Sequence, residues 1–79
     1  MVKAYVLIEI KGGQHHQVCK RIREFQEHVI TADVIMGPFD LITIVTGTDA
    51  DEIGRFVINE IQGMEQVERT LTCVVIEPN

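Results

Sequence analysis

Met36-Gly37-Pro38-Phe39-Asp40-Leu41 is the stretch of this chain best suited to holding a small molecule. Glycine tolerates backbone angles closed to other residues, and proline presets φ for a turn. The stretch separates two apolar runs, Val29 to Met36 and Leu41 to Val45, and reads as a hairpin connection tight enough to set the register of two strands. It also places a carboxylate, Asp40, beside backbone that few side chains shield. Such a group can pair with an ammonium while loop amides hold a carboxylate, which suits a free amino acid. The simpler reading, and the commoner outcome for a lone turn aspartate, is that it bonds its own backbone. Thr70 and Thr72 project from one face of the last apolar run, where hydroxyls can bind a polar ligand. Threonine is equally a plain β-former.

Other chemistry is harder to assemble. His15, His16, Cys19 and His28 invite a metal, and His15 and Cys19 stand at i, i+4 on one helix, a spacing able to chelate. No second pair at ligand spacing follows, whereas a structural zinc site takes four ligands. Exposed histidines at a helix start are the plainer reading, and no metal or other cofactor is expected. No Ser/His/Asp or Cys/His signature and no phosphate-cradling glycine pattern appears, so no catalytic residue is assigned. Gly12-Gly13 alone is a turn.

The chain has 79 residues, enough for one domain spanning 1–79. A domain of this size buries only about 60% of the surface its unfolded chain exposes, so small domains without staples are often oligomeric. Cys19 and Cys73 form no paired-spacing motif, and reduced thiols in a cytoplasmic protein are the expectation. The apolar runs are interrupted by Thr, Glu or Lys, which leaves no bilayer-spanning segment, and Met1-Val2-Lys3-Ala4-Tyr5 does not begin a signal peptide. A net charge of −5, with Lys20, Arg21 and Arg23 followed at once by Glu24 and Glu27, argues against nucleic-acid binding.

Periodicity supplies the elements. Val2, Ala4, Val6, Ile8 and Ile10 alternate with Lys3, Tyr5, Leu7 and Glu9, giving a strand with one wholly apolar face and a second face apolar at Tyr5 and Leu7. Val18, Ile22, Phe25 and Val29 make the stripe of a helix from Gln14 to about Glu27. A strand to Met36, the hairpin and a central strand from Leu41 to Thr46 follow. Asp49 and Glu52 cap a second helix with a buried stripe of Ile53, Phe56, Val57, Ile61 and Met64, and Gly63 suits a left-handed end. Gln66 to Glu77 forms the last strand, with Leu71, Cys73 and Val75 on one face, and Pro78 stops it.

The order strand, helix, strand, strand, helix, strand gives an α+β, ferredoxin-like βαββαβ sandwich: a four-stranded antiparallel sheet with two helices on one face. The other face carries Tyr5, Leu7 and residues of the third and last strands. A second copy packing sheet to sheet would cover it, with Tyr5 and Leu7 in the dimer interface.

Gly37, Phe39, Asp40 and Leu41 match a Gly-x-(Tyr/Phe)-Asp-Leu hairpin, and Val67, Arg69, Thr70 and Thr72 match a closing Val-x-(Arg/Lys)-Thr-x-Thr strand. With both motifs in place, essentially the whole chain resembles the effector-binding (RAM) domain of the Lrp/AsnC, or feast/famine, transcription regulators. It departs from that family in lacking the upstream DNA-binding helix-turn-helix and in having Glu27-His28-Val29 where a glycine usually precedes the second strand. The resemblance implies dimers forming a dimeric α+β barrel and rings of four or five dimers. It also implies an amino-acid effector bound between dimers by Gly37, Pro38, Phe39, Asp40 and Leu41, with Thr70 and Thr72 from a neighbouring strand. Such a stand-alone, non-enzymatic module would modulate full-length regulators by mixed assembly. The alternative is a small dimeric α+β barrel enzyme of monooxygenase type, in which His16 or His28 serves an enclosed cavity.

Overall fold

The computed structural model describes residues 1–76. Its elements are β1 (Val2–Ile10), α1 (His15–Arg23), β2 (Val29–Val34), β3 (Leu41–Gly47), α2 (Ala50–Phe56), which runs on into a π-helical turn (Val57–Ile61), and β4 (Val67–Val74). The strands form one antiparallel sheet in the order β2-β3-β1-β4, the ferredoxin-like arrangement that the element order implies.

β1 lies inside the sheet, between β3 and β4. Alternate side chains on a strand face opposite ways. Ala4, Val6, Ile8 and Ile10 accordingly enter the core, none more than 7% exposed. They pack there with Val18, Cys19 and Ile22 of α1, Leu41 and Val45 of β3, and Ile53, Phe56, Val57, Ile61 and Met64 of the second helical segment. The register sets Tyr5 opposite Ile44 and Cys73, and Leu7 opposite Ile42 and Leu71. These six side chains share the face that the helices leave bare, as the alternation of β1 requires. Gly12 turns the chain after β1 at φ 76°, an angle that favours glycine.

Several boundaries differ from the sequence reading. α1 ends at Arg23, not near Glu27, because the chain tightens: the amides of Glu24 and Phe25 reach back to the carbonyls of Arg21 and Ile22. Phe25 then meets Phe56 edge to face at 5.5 Å, and His28 stacks on the same ring at 4.6 Å. The aromatic contacts thus draw the segment out of the helical path. β2 ends at Val34 and not at Met36. Ile35 and Asp40 close the hairpin through an amide-to-carbonyl bond of 2.9 Å, and Met36 projects fully into solvent. The connection is therefore longer than a two-residue turn, and this bond, with the β2–β3 ladder, holds the register. A bulge between Val29 and Thr31 turns Ile30 outward. Gly63 is not left-handed; a Cβ there would stand 2.6 Å from the Asn59 carbonyl oxygen, so close approach explains the glycine. β4 runs from Val67 to Val74, so Gln66 and Val75 of the expected strand fall outside it, and Glu77 and Pro78 lie outside the described residues.

Cys19 is buried. Its Sγ donates to the Ala32 carbonyl at 3.3 Å, and Arg23 Nε donates to the same oxygen at 2.9 Å. Burial pushes the Cys19 thiol pKa up. Ala32 pairs with Thr43 without exchanging backbone bonds, since the Ile35–Asp40 bond fixes the alternation of the ladder, so its carbonyl faces the outer edge of the sheet.

The second helix begins as its sequence indicates. Asp49 Oδ1 accepts the Glu52 amide at 2.8 Å. Glu52 in turn accepts from the Thr48 amide at 2.7 Å and hydroxyl at 2.6 Å through one oxygen, and contacts His28 Nε2 at 3.0 Å through the other. The Thr48 hydroxyl and amide bonds, followed by His28, pull the Glu52 pKa down to about 2 from 4.5. A depressed carboxylate pKa stabilises the fold above the unfolded-state value and ceases to do so as pH falls through the folded-state value. Glu52→Gln is therefore expected to melt below the parent chain at pH 7, with the gap narrowing between pH 4.5 and about 2 in calorimetric melts. Asp49→Ala, which removes the cap itself, is expected to cost about 1 kcal/mol in denaturant titrations.

Candidate ligand site at the hairpin

Asp40 is the best-placed polar group of the hairpin, and it does not bond its own turn. Oδ2 accepts the Ile10 amide at 2.8 Å, thirty positions away in sequence, and Oδ1 lies 3.2 Å from His15 Nε2. The Asp40 amide donates to the Ile8 carbonyl at 2.9 Å. One residue thereby joins the end of β1, the start of α1 and the hairpin. The Ile10 amide is the main cause of a lowered Asp40 pKa, with the His15 contact adding to it and partial burial opposing it. Each side chain of the Asp40–His15 pair keeps 30% of its surface exposed, so the carboxylate stays within reach of solvent.

Its neighbours have distinct tasks. Phe39 is buried beneath Arg69, whose guanidinium carbon stands 4.8 Å from the ring centroid. Arg69 Nε also donates to Glu9 at 3.1 Å. Leu41 is core. Gly37 has no such explanation within the protomer. Its φ is not positive, and an added Cβ would meet nothing within 4 Å.

Thr70 and Thr72 stand opposite Ile8 and Val6, on the helix side of the sheet. The Thr70 hydroxyl accepts from Gln62 Nε2 at 2.7 Å. Gln62 follows the π-helical turn, its own amide bonding the Val57 carbonyl at 2.8 Å. Gln62, Val67, Glu68, Arg69 and Thr70 line an open groove of about 410 Å³. Within one protomer, then, Phe39 is brought to the closing strand through Arg69, whereas Thr70 lines the groove beside Gln62 and Thr72 stands further along the same face of β4.

Sequence reasoning assigned no role to the Ile10 amide, to Arg69 as the cover of Phe39, or to Gln62. Arg69 stands in the closing-strand motif, and that was a usable signal. Gln62 carried none, because a π-helical turn has no sequence pattern. The histidines are dispersed: His15 on Asp40, and His28 on Glu52 and Phe56. Cys19 faces the Ala32 carbonyl. Among the described residues, no three His, Cys, Asp or Glu side chains converge. Among the described residues, no helix is long and apolar enough to cross a membrane.

The chain is thus a ferredoxin-like domain with an acidic hairpin junction and a bare apolar sheet face. It belongs to the Lrp/AsnC ligand binding domain family, whose model matches residues 3–78. Among solved structures, it is similar to TTHA0845 from Thermus thermophilus, at 30% identity and a TM-score of 0.92, covering 100% of this chain and 98% of that one. It is also similar to the hypothetical protein PHS023 from Pyrococcus horikoshii, at 26% identity and a TM-score of 0.88, covering 98% and 92% of the two chains. The transcriptional regulator NMB0573 from Neisseria meningitidis, solved as a complex with L-Met, shares the fold at 15% identity and a TM-score of 0.83; the match covers 98% of this chain and 51% of the regulator. The comparison with curated proteins found no match.

Asp40→Ala strands the Ile10 amide. Hydrogen exchange at Ile10 is expected to accelerate in that variant, with the amides of the α2 core unchanged. Gly37→Ala is expected to be neutral or stabilising by up to about 1 kcal/mol in denaturant unfolding, since neither its backbone angle nor its surroundings oppose a methyl group.

Proposed function

We propose that this domain binds a free amino acid at the hairpin and assembles through the bare face of its sheet, as a non-enzymatic module that modulates transcription regulators of its family. The observation that carries the reading is Gly37. The hairpin bears a glycine that nothing in its own protomer requires, next to a carboxylate held in place and open to solvent. A glycine with space beyond it lets a ligand or a neighbouring chain approach the backbone closely. The L-Met complex of a regulator with the same fold supports an amino acid as the ligand class.

In this reading Asp40 receives the ammonium, while the backbone of Gly37 and Pro38 meets the carboxylate. Phe39 and Leu41 anchor the loop. Thr70 and Thr72, with Gln62 beside Thr70, belong to a second copy's contribution, which explains why they stand apart from Asp40 within one chain. Tyr5, Leu7, Ile42, Ile44 and Leu71 form the two-fold dimer contact, and rings of four or five such dimers bring hairpins and grooves together.

The enzyme reading needs His16 or His28 in an enclosed cavity. His28 instead contacts Glu52 and Phe56 beside an open groove of about 260 Å³, which favours the binding module.

Titration calorimetry with the twenty standard amino acids tests the ligand. At least one is expected to bind, to raise the melting temperature, and to lose affinity at least tenfold in Asp40→Ala. No heat from any of them, with no thermal shift, removes the sensing role. Native mass spectrometry tests the assembly separately: Leu7→Glu is expected to reduce the particle to single chains, since it sets a charge into a two-fold apolar contact. A lone subunit for the unaltered chain at micromolar concentration overturns the dimer.

A further inference from the structure

The hairpin carboxylate is shared unequally. Asp40 Oδ2 is fixed by the Ile10 amide, a donor that does not titrate, while Oδ1 is met by His15, and histidine is the side-chain type that can change charge near neutral pH. Oδ1 is also the oxygen that the strand leaves free, and so the one better placed to meet an ammonium. Resting on the amino-acid reading above, we propose that His15 gates Asp40: protonated, it holds Oδ1; neutral, it gives Oδ1 up to the ammonium of the ligand, so that binding is linked to loss of a proton from the site.

The physical basis is a difference in bond strength. An imidazolium makes a charge-assisted bond to a carboxylate, about twice as strong as a neutral donor makes. An incoming ammonium exchanges charge for charge against the first and wins outright against the second. The exchange needs no movement of Asp40, whose other oxygen remains on Ile10. It needs only that His15 swing outward from the first turn of α1, and its side chain is already partly in solvent.

The ionisable groups on the adjoining elements do not duplicate this role. On β1 and its exit, Glu9 pairs with Arg69 of β4, and Lys11 stands beyond Ile10. On α1, His16 is exposed, Cys19 is engaged with the Ala32 carbonyl, and Arg23 faces Asp33 of β2 at 3.9 Å. His15 is the histidine within contact distance of Asp40.

The test uses the unaltered chain and His15→Gln, which keeps a hydrogen-bond donor but cannot titrate. Proton–nitrogen NMR is recorded from pH 5.5 to 7.5 with and without an equimolar mixture of the twenty amino acids, whose α-ammonium groups stay charged throughout. In the unaltered chain the half-saturating concentration is expected to fall as pH rises, by up to about tenfold per pH unit for linkage to one proton, and to be nearly flat in His15→Gln. A flat profile in the unaltered chain, or a slope that survives in His15→Gln, overturns the gate. Without ligand, the Ile10 amide shift is expected to follow His15 protonation in the unaltered chain and to lose that inflection in His15→Gln. Should no component of the mixture bind, the amino-acid reading falls. The Ile10 signal then decides the rest: an amide that ignores His15 protonation overturns the proton-controlled contact, and one that follows it sustains the contact.

Discussion

A four-stranded sheet has two faces, and this chain covers one. Everything else in the fold follows from that asymmetry. The helical side takes the fully apolar half of β1 together with the stripes of α1 and α2, and it forms a core without a buried unpaired side-chain polar atom among the described residues. The other side presents Tyr5, Leu7, Ile42, Ile44, Leu71 and Cys73 in one register. For so short a chain, leaving that much apolar surface wet removes stability that is already scarce. The sheet thus carries a second apolar face that no described part of the chain covers, and the polar hairpin junction of Asp40 lies at its rim.

At the rim, single residues carry several structural tasks at once. Phe39 is at once a motif residue and a buried platform under Arg69. Asp40 leads into β3, holds the end of β1 through Ile10 and meets His15 of α1. The plain alternative, that a turn aspartate bonds its own backbone, does not hold here: the amide it accepts from belongs to another strand. A carboxylate used this way is stiff, and stiffness lowers the entropic cost of receiving a ligand.

Much of this was readable in advance, for identifiable reasons. The two faces of β1, the Asp49–Glu52 helix start and the stripe from Ile53 to Met64 rest on local periodicity and capping, which act over a few residues. The failures lie where distant parts of the chain decide. The early end of α1 depends on Phe25 and His28 meeting Phe56, and the end of β2 on a bond between Ile35 and Asp40. Gly63 is explained by the Asn59 carbonyl, which a π-helical turn brings near it. Within the site, the hairpin and the two threonines could be named from sequence, but not the Ile10 amide, His15 as Asp40's partner, or Gln62 on Thr70. Each of those is a contact across the fold.

The outward carbonyl of Ala32 has one more implication. β2 closes one margin of the sheet, and such margins template foreign strands. Here a thiol and a guanidinium from α1 both occupy the acceptor that a newcomer's backbone would need. At that point of the border an incoming strand would first have to displace both donors, which guards this margin against strand-by-strand addition.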